Sequence, residues 1–430
     1  MDALHPPGAG VSPDELEELE EIVQDELPAY LEDLATLVNV DCGSYTKVGV
    51  DQVGAWTAAF LERLGAQVEI HVHSTLGNTI VGTFRGRAGG PRALLIGHLD
   101  TVFPEGTAGA RPFRIEAGVA HGPGVTDMKS GLLAGLYAVL ALISLGEDED
   151  TAAGEGGQGR SAVSEPATEM PFERLVFVAN PDEEIGSISS TSIIRELALA
   201  SDVALVLECA RANGDIVSAR KGTVDLRLTV HGRAAHAGVE PEKGRNAILA
   251  AAQLIVELQA LNGRWPGVTL NVGVIHGGSR PNVVAEEAVL EVDLRAFGRA
   301  DLEAAEAAVR AAAARTTVPD THVTVEETAR HWPMEKLERS GRLVEHAQAI
   351  AGRLGFELSD ASTGGASDAN TTAGLGVPSL DGLGPIGGND HSPAEYLDVE
   401  SIVPRTVLLA GLLLAIGRDP VIGSWRPHRA

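Results

Sequence analysis

A chain of 430 residues is too long for one ordinary hydrophobic core, so two domains, or one large α/β domain with an insertion, are expected. Its 33 Lys+Arg against 60 Asp+Glu leave a formal charge of -27, which repels phosphate backbones and anionic lipid surfaces and argues against nucleic acid and membrane as partners. The two cysteines, Cys42 and Cys209, exclude a disulfide framework and a thiolate metal cluster, and a reducing cytoplasm is the expected compartment.

The amino-terminal segment MDALHPPGAGVSPDELEELEEIV is acidic and lacks the basic start and apolar stretch of a secretory signal. It reads as a helix start, with Ser12 as N-cap, Pro13 in the first turn and Glu15 as the acid of a capping box. Short apolar runs at 93–96, 175–179 and 203–207, each followed by turn or polar residues and separated by helical patterns, predict a mostly parallel sheet flanked by helices. The apolar stretches 132–145 and 407–416 fall short of the roughly 20 residues that cross a bilayer and read as buried helices. Residues 146–171, rich in Gly, Ala, Ser and acid without apolar periodicity, predict a solvated connecting loop.

From Gly222 the pattern changes. Val224, Leu226, Leu228 and Val230 alternate with polar residues, as a strand with one buried face does. A helix over 244–261, strands over 268–275 and 288–297, an alanine-rich helix over 302–314 and a strand over 322–327 complete a β-α-β-β-α-β order. That is a ferredoxin-like α+β module whose first and last strands are neighbours, so it can be inserted into another domain. The fold class is therefore α/β: a mostly parallel sheet domain flanked by helices at 1–219 and 332–430, with an inserted ferredoxin-like α+β domain at 220–331.

The chemistry lies in five polar patches: GHLDT (97–101), GPGVTDMKSG (122–131), NPDEEIGS (180–187), ECA (208–210) and NDHSP (389–393). Between them they supply two imidazoles and several carboxylates, the nitrogen and oxygen ligand set that zinc accepts. His98, Glu183, Glu184 and Glu208 follow the three apolar runs, where open α/β sheets place their ligands. Adjacent Glu183 and Glu184 allow one carboxylate to bind metal while the other faces water and substrate; in isolation the pair is an acidic surface turn. Asp100, two residues beyond His98, could orient a metal-bound imidazole, whereas a lone His98 would be a hydrogen-bonded rim residue. Asp127 alone would be a helix cap, Glu208 the end of a strand and His391 a turn residue. Lys129 and Ser130 also resemble the end of a P-loop, but Met128 stands where a loop glycine belongs and a G-x-G-x-x-G pattern fails at Asp127.

Taken together and in this order, the five patches resemble the aminoacylase, glutamate carboxypeptidase and succinyl-diaminopimelate desuccinylase family of dinuclear zinc peptidases. The resemblance covers nearly the whole chain and implies that Asp127 bridges two zinc ions, with His98 and Glu208 completing one site and Glu184 and His391 the other. It implies Glu183 as general base and Asp100 as the partner of His98. The segment GRAAHAGVEPEKGRNA (232–247) is similar to the family's lid, whose histidine, here His236, reaches the partner subunit's active site; a homodimer through the lid domain is implied. Asn282 and Arg295 match lid positions that contact the substrate and its free carboxylate, and Lys221 and Arg330 are weaker candidates for the same task, with a plain surface charge preferred for Arg330. GGASDAN (364–370) resembles a substrate loop in which Gly365 and Ala366 could offer backbone N–H groups, or Asp368 could secure the loop.

The expected activity is metal-dependent hydrolysis of an amide next to a free carboxylate, releasing a carboxyl-terminal amino acid, with glutamate the candidate, from a small peptide or N-acyl amino acid. Deacylation of an acetyl-ornithine or succinyl-diaminopimelate type is the alternative, and a metal-stabilised binding protein without turnover is the third reading. Cobalt or manganese would suit similar ligands in place of zinc.

Overall fold

A computed structural model describes residues 6–151, 170–315 and 318–425. The chain divides into two compact units, one comprising Met1–Ser218, Lys336–Ser362 and Ser367–Ala430, the other Ala219–Glu335 and Thr363–Ala366. The divisions expected after 219 and 331 thus fall after 218 and 335, and the short segment Thr363–Ala366 groups with the second unit although the sequence reading assigned it to the first.

In the first unit Ser12 caps helix Pro13–Val38 in a capping box: its hydroxyl accepts the Glu15 N–H at 3.2 Å and the Glu15 carboxylate accepts the Ser12 N–H at 2.6 Å. This helix packs with Ser130–Thr151 and Ile402–Arg418. The last two are longer than their apolar cores suggested. The stretches Val125–Leu145 and Val399–Arg418, 21 and 20 residues, are long and apolar enough to cross a membrane, but 78% and 83% of their most apolar parts are buried inside the fold, as core helices are. Helix Ser130–Thr151 also continues through 146–151, which the sequence reading gave to a loop; residues 152–169 of that expected loop lie outside the described residues.

The central sheet has six strands in the order Gln67–His71, Thr79–Arg85, Arg174–Asn180, Arg92–His98, Val203–Val206, Ser379–Leu380. The last four are mutually parallel, while Thr79–Arg85 pairs antiparallel with both of its neighbours, so the sheet is mixed and its parallel part is the part that bears the site. Arg92–His98, Arg174–Asn180 and Val203–Val206 are almost wholly buried on both faces, which is why they read as continuous apolar runs. Their register sets His98 beside Asn180 and Ile96 beside Val206, so three strands end at one rim.

In the second unit four antiparallel strands lie in the order Thr269–Gly277, Glu287–Ala296, Gly222–His231, His322–His331. The first and last strands in sequence, Gly222–His231 and His322–His331, are antiparallel neighbours, the ferredoxin-like arrangement. Val224, Leu226, Leu228 and Val230 are fully buried in one cluster with residues of helices Ala247–Gln259 and Arg299–Ala313, while alternate positions of the strand face away.

Candidate metal centre

Each chemical group stands where a strand stops or a turn is forced. His98 is the last residue of its strand, Glu208 follows Val206 by two, and Glu183 and Glu184 open a short 3₁₀ turn, Glu183–Ile185, beyond strand Arg174–Asn180. Asp127 sits in the non-helical turn ahead of helix Ser130–Thr151, across a cis peptide to Met128. That helix can start hard against the sheet because Gly131 carries no side chain: a Cβ there would lie 1.9 Å from the Leu207 carbonyl oxygen. His391, at φ 61, lies in the loop between Gly387–Gly388 and Tyr396–Asp398, and Tyr396–Asp398 pairs with Val119–His121 to bring this loop to the Asp127 turn.

The side chains converge. Asp127 gives one oxygen to each imidazole: Oδ1 lies 3.1 Å from His98 Nε2 and Oδ2 lies 3.0 Å from His391 Nε2. Glu184 Oε2 is 3.1 Å from His391 Nε2, and Glu208 Oε1 is 3.6 Å from His98 Nε2. Donor atoms of His98, Asp127 and Glu184 lie within 4.8 Å of one another, and so do those of His98, Glu183 and Glu208.

This donor set fits divalent metal. Atoms bound about 2.1 Å from one tetrahedral ion are about 3.4 Å apart, which the observed contacts bracket. The charge also fits, because Asp127, Glu183, Glu184 and Glu208 crowd around two imidazoles. Burial opposes protonation of His98, yet Asp100, Asp127 and Glu208 outweigh it and hold its pKa well above the usual histidine value. Hydrogen bonds to Asp127 and then Glu184 push His391 up to about 11. Burial, then Glu208, raise Glu183 far above the ordinary carboxylate range, and burial with Asp127 raises Glu184.

Asp100 does more than its expected task. Its carboxylate is 3.4 Å from His98 Nδ1, but the nearer partner of that nitrogen is the Asp100 backbone oxygen at 3.0 Å. The carboxylate instead accepts the backbone N–H of Glu183 at 3.1 Å and of Glu184 at 3.2 Å, and the Ser44 hydroxyl at 2.6 Å. Sequence reasoning missed Ser44, and it missed Glu395, a buried carboxylate that accepts N–H groups from the Asp127 turn. Glu395 lies only four residues past His391, just beyond the NDHSP patch, and that proximity was the available signal. Burial pushes its carboxyl up to about 7 against those N–H groups. Asp368 secures a loop, accepting from Ser187 at 2.6 Å and Asn180 at 2.5 Å, and burial raises it to about 6.

The second unit carries the other expected residues. His236 is exposed on a loop that bridges to Val283, with the Ala237 N–H donating to the Asn282 carbonyl at 3.0 Å, so His236 and Asn282 are neighbours on adjoining segments. Arg295 is held by Asp293 and donates to the Gly364 carbonyl at 3.0 Å. Lys221 donates to Thr269 at 3.3 Å, and its pKa is lowered by burial and by nearby Arg295. Gly365 turns its carbonyl toward Arg220 at 3.2 Å. Arg330 is committed to Glu306 and Glu327 and lies over the Trp332 ring, which makes it a structural residue of this unit.

A model of the Peptidase family M20/M25/M40 matches residues 94–152, and one of the Peptidase dimerisation domain matches 218–321. Carboxypeptidase G2 of Pseudomonas sp. (strain RS-16) is 30% identical over 398 residues, which cover 91% of this chain and 90% of that relative. The chain belongs to the M20 peptidase family. Succinyl-diaminopimelate desuccinylase of Leptothrix cholodnii is 28% identical over 81% of this M20 chain and 90% of that relative, so both carboxypeptidase and deacylase names occur among its kin. The solved structure of aminopeptidase PepT from Bacillus cereus shares the M20 fold, with a TM-score of 0.74 over 91% of this chain and 99% of that chain at 21% identity.

Proposed function

We propose that the chain uses two divalent ions, zinc by preference, to hydrolyse an amide bond next to a free carboxylate, releasing a carboxyl-terminal amino acid, with glutamate the candidate, from a small peptide or N-acyl amino acid. The observation that carries this reading is Asp127, whose two oxygens each face a different imidazole. His98 and Glu208 would hold one ion, Glu184 and His391 the other, and Asp127 both. Such a pair, when bound, polarises the substrate carbonyl and lowers the pKa of water towards roughly 7.

The chain's own part is proton transfer and orientation. Glu183 is the carboxylate left over once the five ligands are assigned, and a carboxylate beside the ligands but not among them suits a group that takes a proton from the attacking water and returns it to the departing amine nitrogen. Asp100 holds the backbone of Glu183 and Glu184, so base and ligand keep a fixed spacing. The dimerisation-domain match supports a homodimer, in which His236 would polarise the scissile carbonyl and Asn282, Arg295, Lys221 and Gly365 would meet the substrate.

The desuccinylase relative favours one further reading, deacylation of an N-acyl amino acid with the same residues in the same roles. Amine release from acyl-glutamate, acetyl-ornithine and small dipeptides by zinc-loaded protein separates the two. Turnover of acyl-glutamate or dipeptides above acetyl-ornithine supports the carboxypeptidase reading, the reverse order supports the deacylase, and no turnover of any by protein holding two ions supports a binding protein.

A further inference from the structure

The loop that carries Asp127 is held by a residue outside the ligand set. Glu395 is 1% exposed, and its Oε2 accepts the Gly124 N–H at 2.9 Å while Oε1 accepts those of Thr126 at 2.9 Å and Asp127 at 3.1 Å. Successive N–H groups turned inward around one anion form a nest, and Gly124, at φ 71, takes the left-handed conformation that such a turn uses. The clamp belongs to the His391 loop: the Glu395 N–H donates to the Ser392 carbonyl at 3.2 Å, and the Thr126 hydroxyl donates to the Tyr396 carbonyl at 2.8 Å. One short segment, 391–395, thus contributes a ligand and also grips the backbone of the ligand that both ions would share.

We propose that Glu395 is a positioning residue for the metal centre, holding the Asp127 backbone so that its two carboxylate oxygens stay divided between His98 and His391. The proposal rests on the paired-metal reading above. A carboxylate is required because both oxygens are used as acceptors: in Glu395→Gln the amide nitrogen would face either the Gly124 N–H or the Thr126 and Asp127 N–H groups, donor against donor. Since Asp127 would be shared by both ions, loosening it would weaken both together, whereas loss of His391 would weaken one.

The test is equilibrium binding of zinc, together with the visible spectrum of the cobalt-loaded protein, for the wild type, Glu395→Gln and His391→Ala, with thermal unfolding of each metal-free protein as the control for folding. Glu395→Gln is expected to lose on the order of 10- to 100-fold in affinity for both ions, the range typical of partners behind metal ligands, and to shift the cobalt spectrum. A folded Glu395→Gln that binds both ions as the wild type does, with an unchanged cobalt spectrum, overturns the proposal whatever its melting temperature. If that variant does not fold, Glu395→Asp, which keeps the charge and shortens the reach, decides in the same way: weakened binding of both ions supports the clamp and unchanged binding refutes it. A wild type that holds fewer than two ions refutes the paired-metal reading itself, and this proposal with it.

Discussion

Asp100 accepts the backbone N–H groups of both Glu183 and Glu184, at 3.1 and 3.2 Å, and so ties the candidate base and a candidate ligand to the strand end that carries His98. The carboxylate is fully buried, and three donors converge on it when Ser44 is counted. Asp100→Asn places an amide N–H₂ against at least one of them. It is expected to cut kcat and weaken metal binding by about 10- to 100-fold each, read from steady-state kinetics at saturating zinc and from zinc titration. If Asp100 only orients His98, saturating zinc restores kcat; if it also places Glu183, kcat stays low.

Glu183→Ala removes the one acid of the cluster that the ligand scheme does not use. Turnover is expected to fall by on the order of 10² to 10⁴ with zinc stoichiometry unchanged. Wild-type turnover in the metal-loaded variant would take the base role away from Glu183.

If His236 serves the partner's active site, subunits carrying Glu183→Ala and subunits carrying His236→Ala, each inactive alone, regain activity when exchanged into mixed dimers. In such a dimer one site combines an intact Glu183 with an intact partner His236. Mixed dimers as inactive as either parent would place His236 in its own subunit's reaction, and a His236→Ala protein that is active alone would place it outside the reaction.

Arg330 pairs with Glu306 and Glu327 at 19% side-chain exposure, and its guanidinium lies 5.0 Å from the Trp332 ring centre. Arg330→Ala is therefore expected to lower the stability of the second unit by about 1 kcal/mol and leave KM unchanged. Arg295→Ala is expected to raise KM, so the two variants measured side by side distinguish a framework cation from a substrate cation.

A pH effect remote from the metal centre is expected at Asp419, whose side chain is 2% exposed and meets Arg342 and His346. Burial raises its pKa, but His346, Arg342 and the Val421 N–H outweigh it and hold the group below the usual carboxylate range. A depressed folded-state pKa gives stability that is present above the unfolded value of about 3.9 and is lost as pH falls through the folded value. Asp419→Asn should cost about 3 kcal/mol at pH 7, and the gap to the wild type should narrow in urea titrations below about pH 4. A gap that stays constant across that range would remove Asp419 from the acid response.

The sequence exposed the parts of this architecture that depend on strand ends. Runs 93–96, 175–179 and 203–207 are parallel and in register, so reading where each stopped was enough to gather His98, Glu183, Glu184 and Glu208. The ferredoxin-like order was legible because Gly222–His231 buries one face only, in strict alternation from Val224 to Val230. The antiparallel hairpin at Gln67–His71 and Thr79–Arg85 went unread. Gly82 interrupts its second strand to make room for Leu61, and Ile70 in its first is exposed, so neither strand shows a clean period. The supporting roles of Asp100 and Glu395 were hidden for a different reason. Both act on backbone N–H groups of distant turns, and a main-chain donor leaves no mark in the amino-acid sequence.

The most direct test of the account is the zinc content of the chain after equilibration with excess metal and dialysis, compared with that of Asp127→Ala. The account predicts two ions per wild-type chain and loss of both, or retention of one weakly held, when the shared carboxylate is removed. One ion per wild-type chain, or two that survive Asp127→Ala with undiminished affinity, would contradict it.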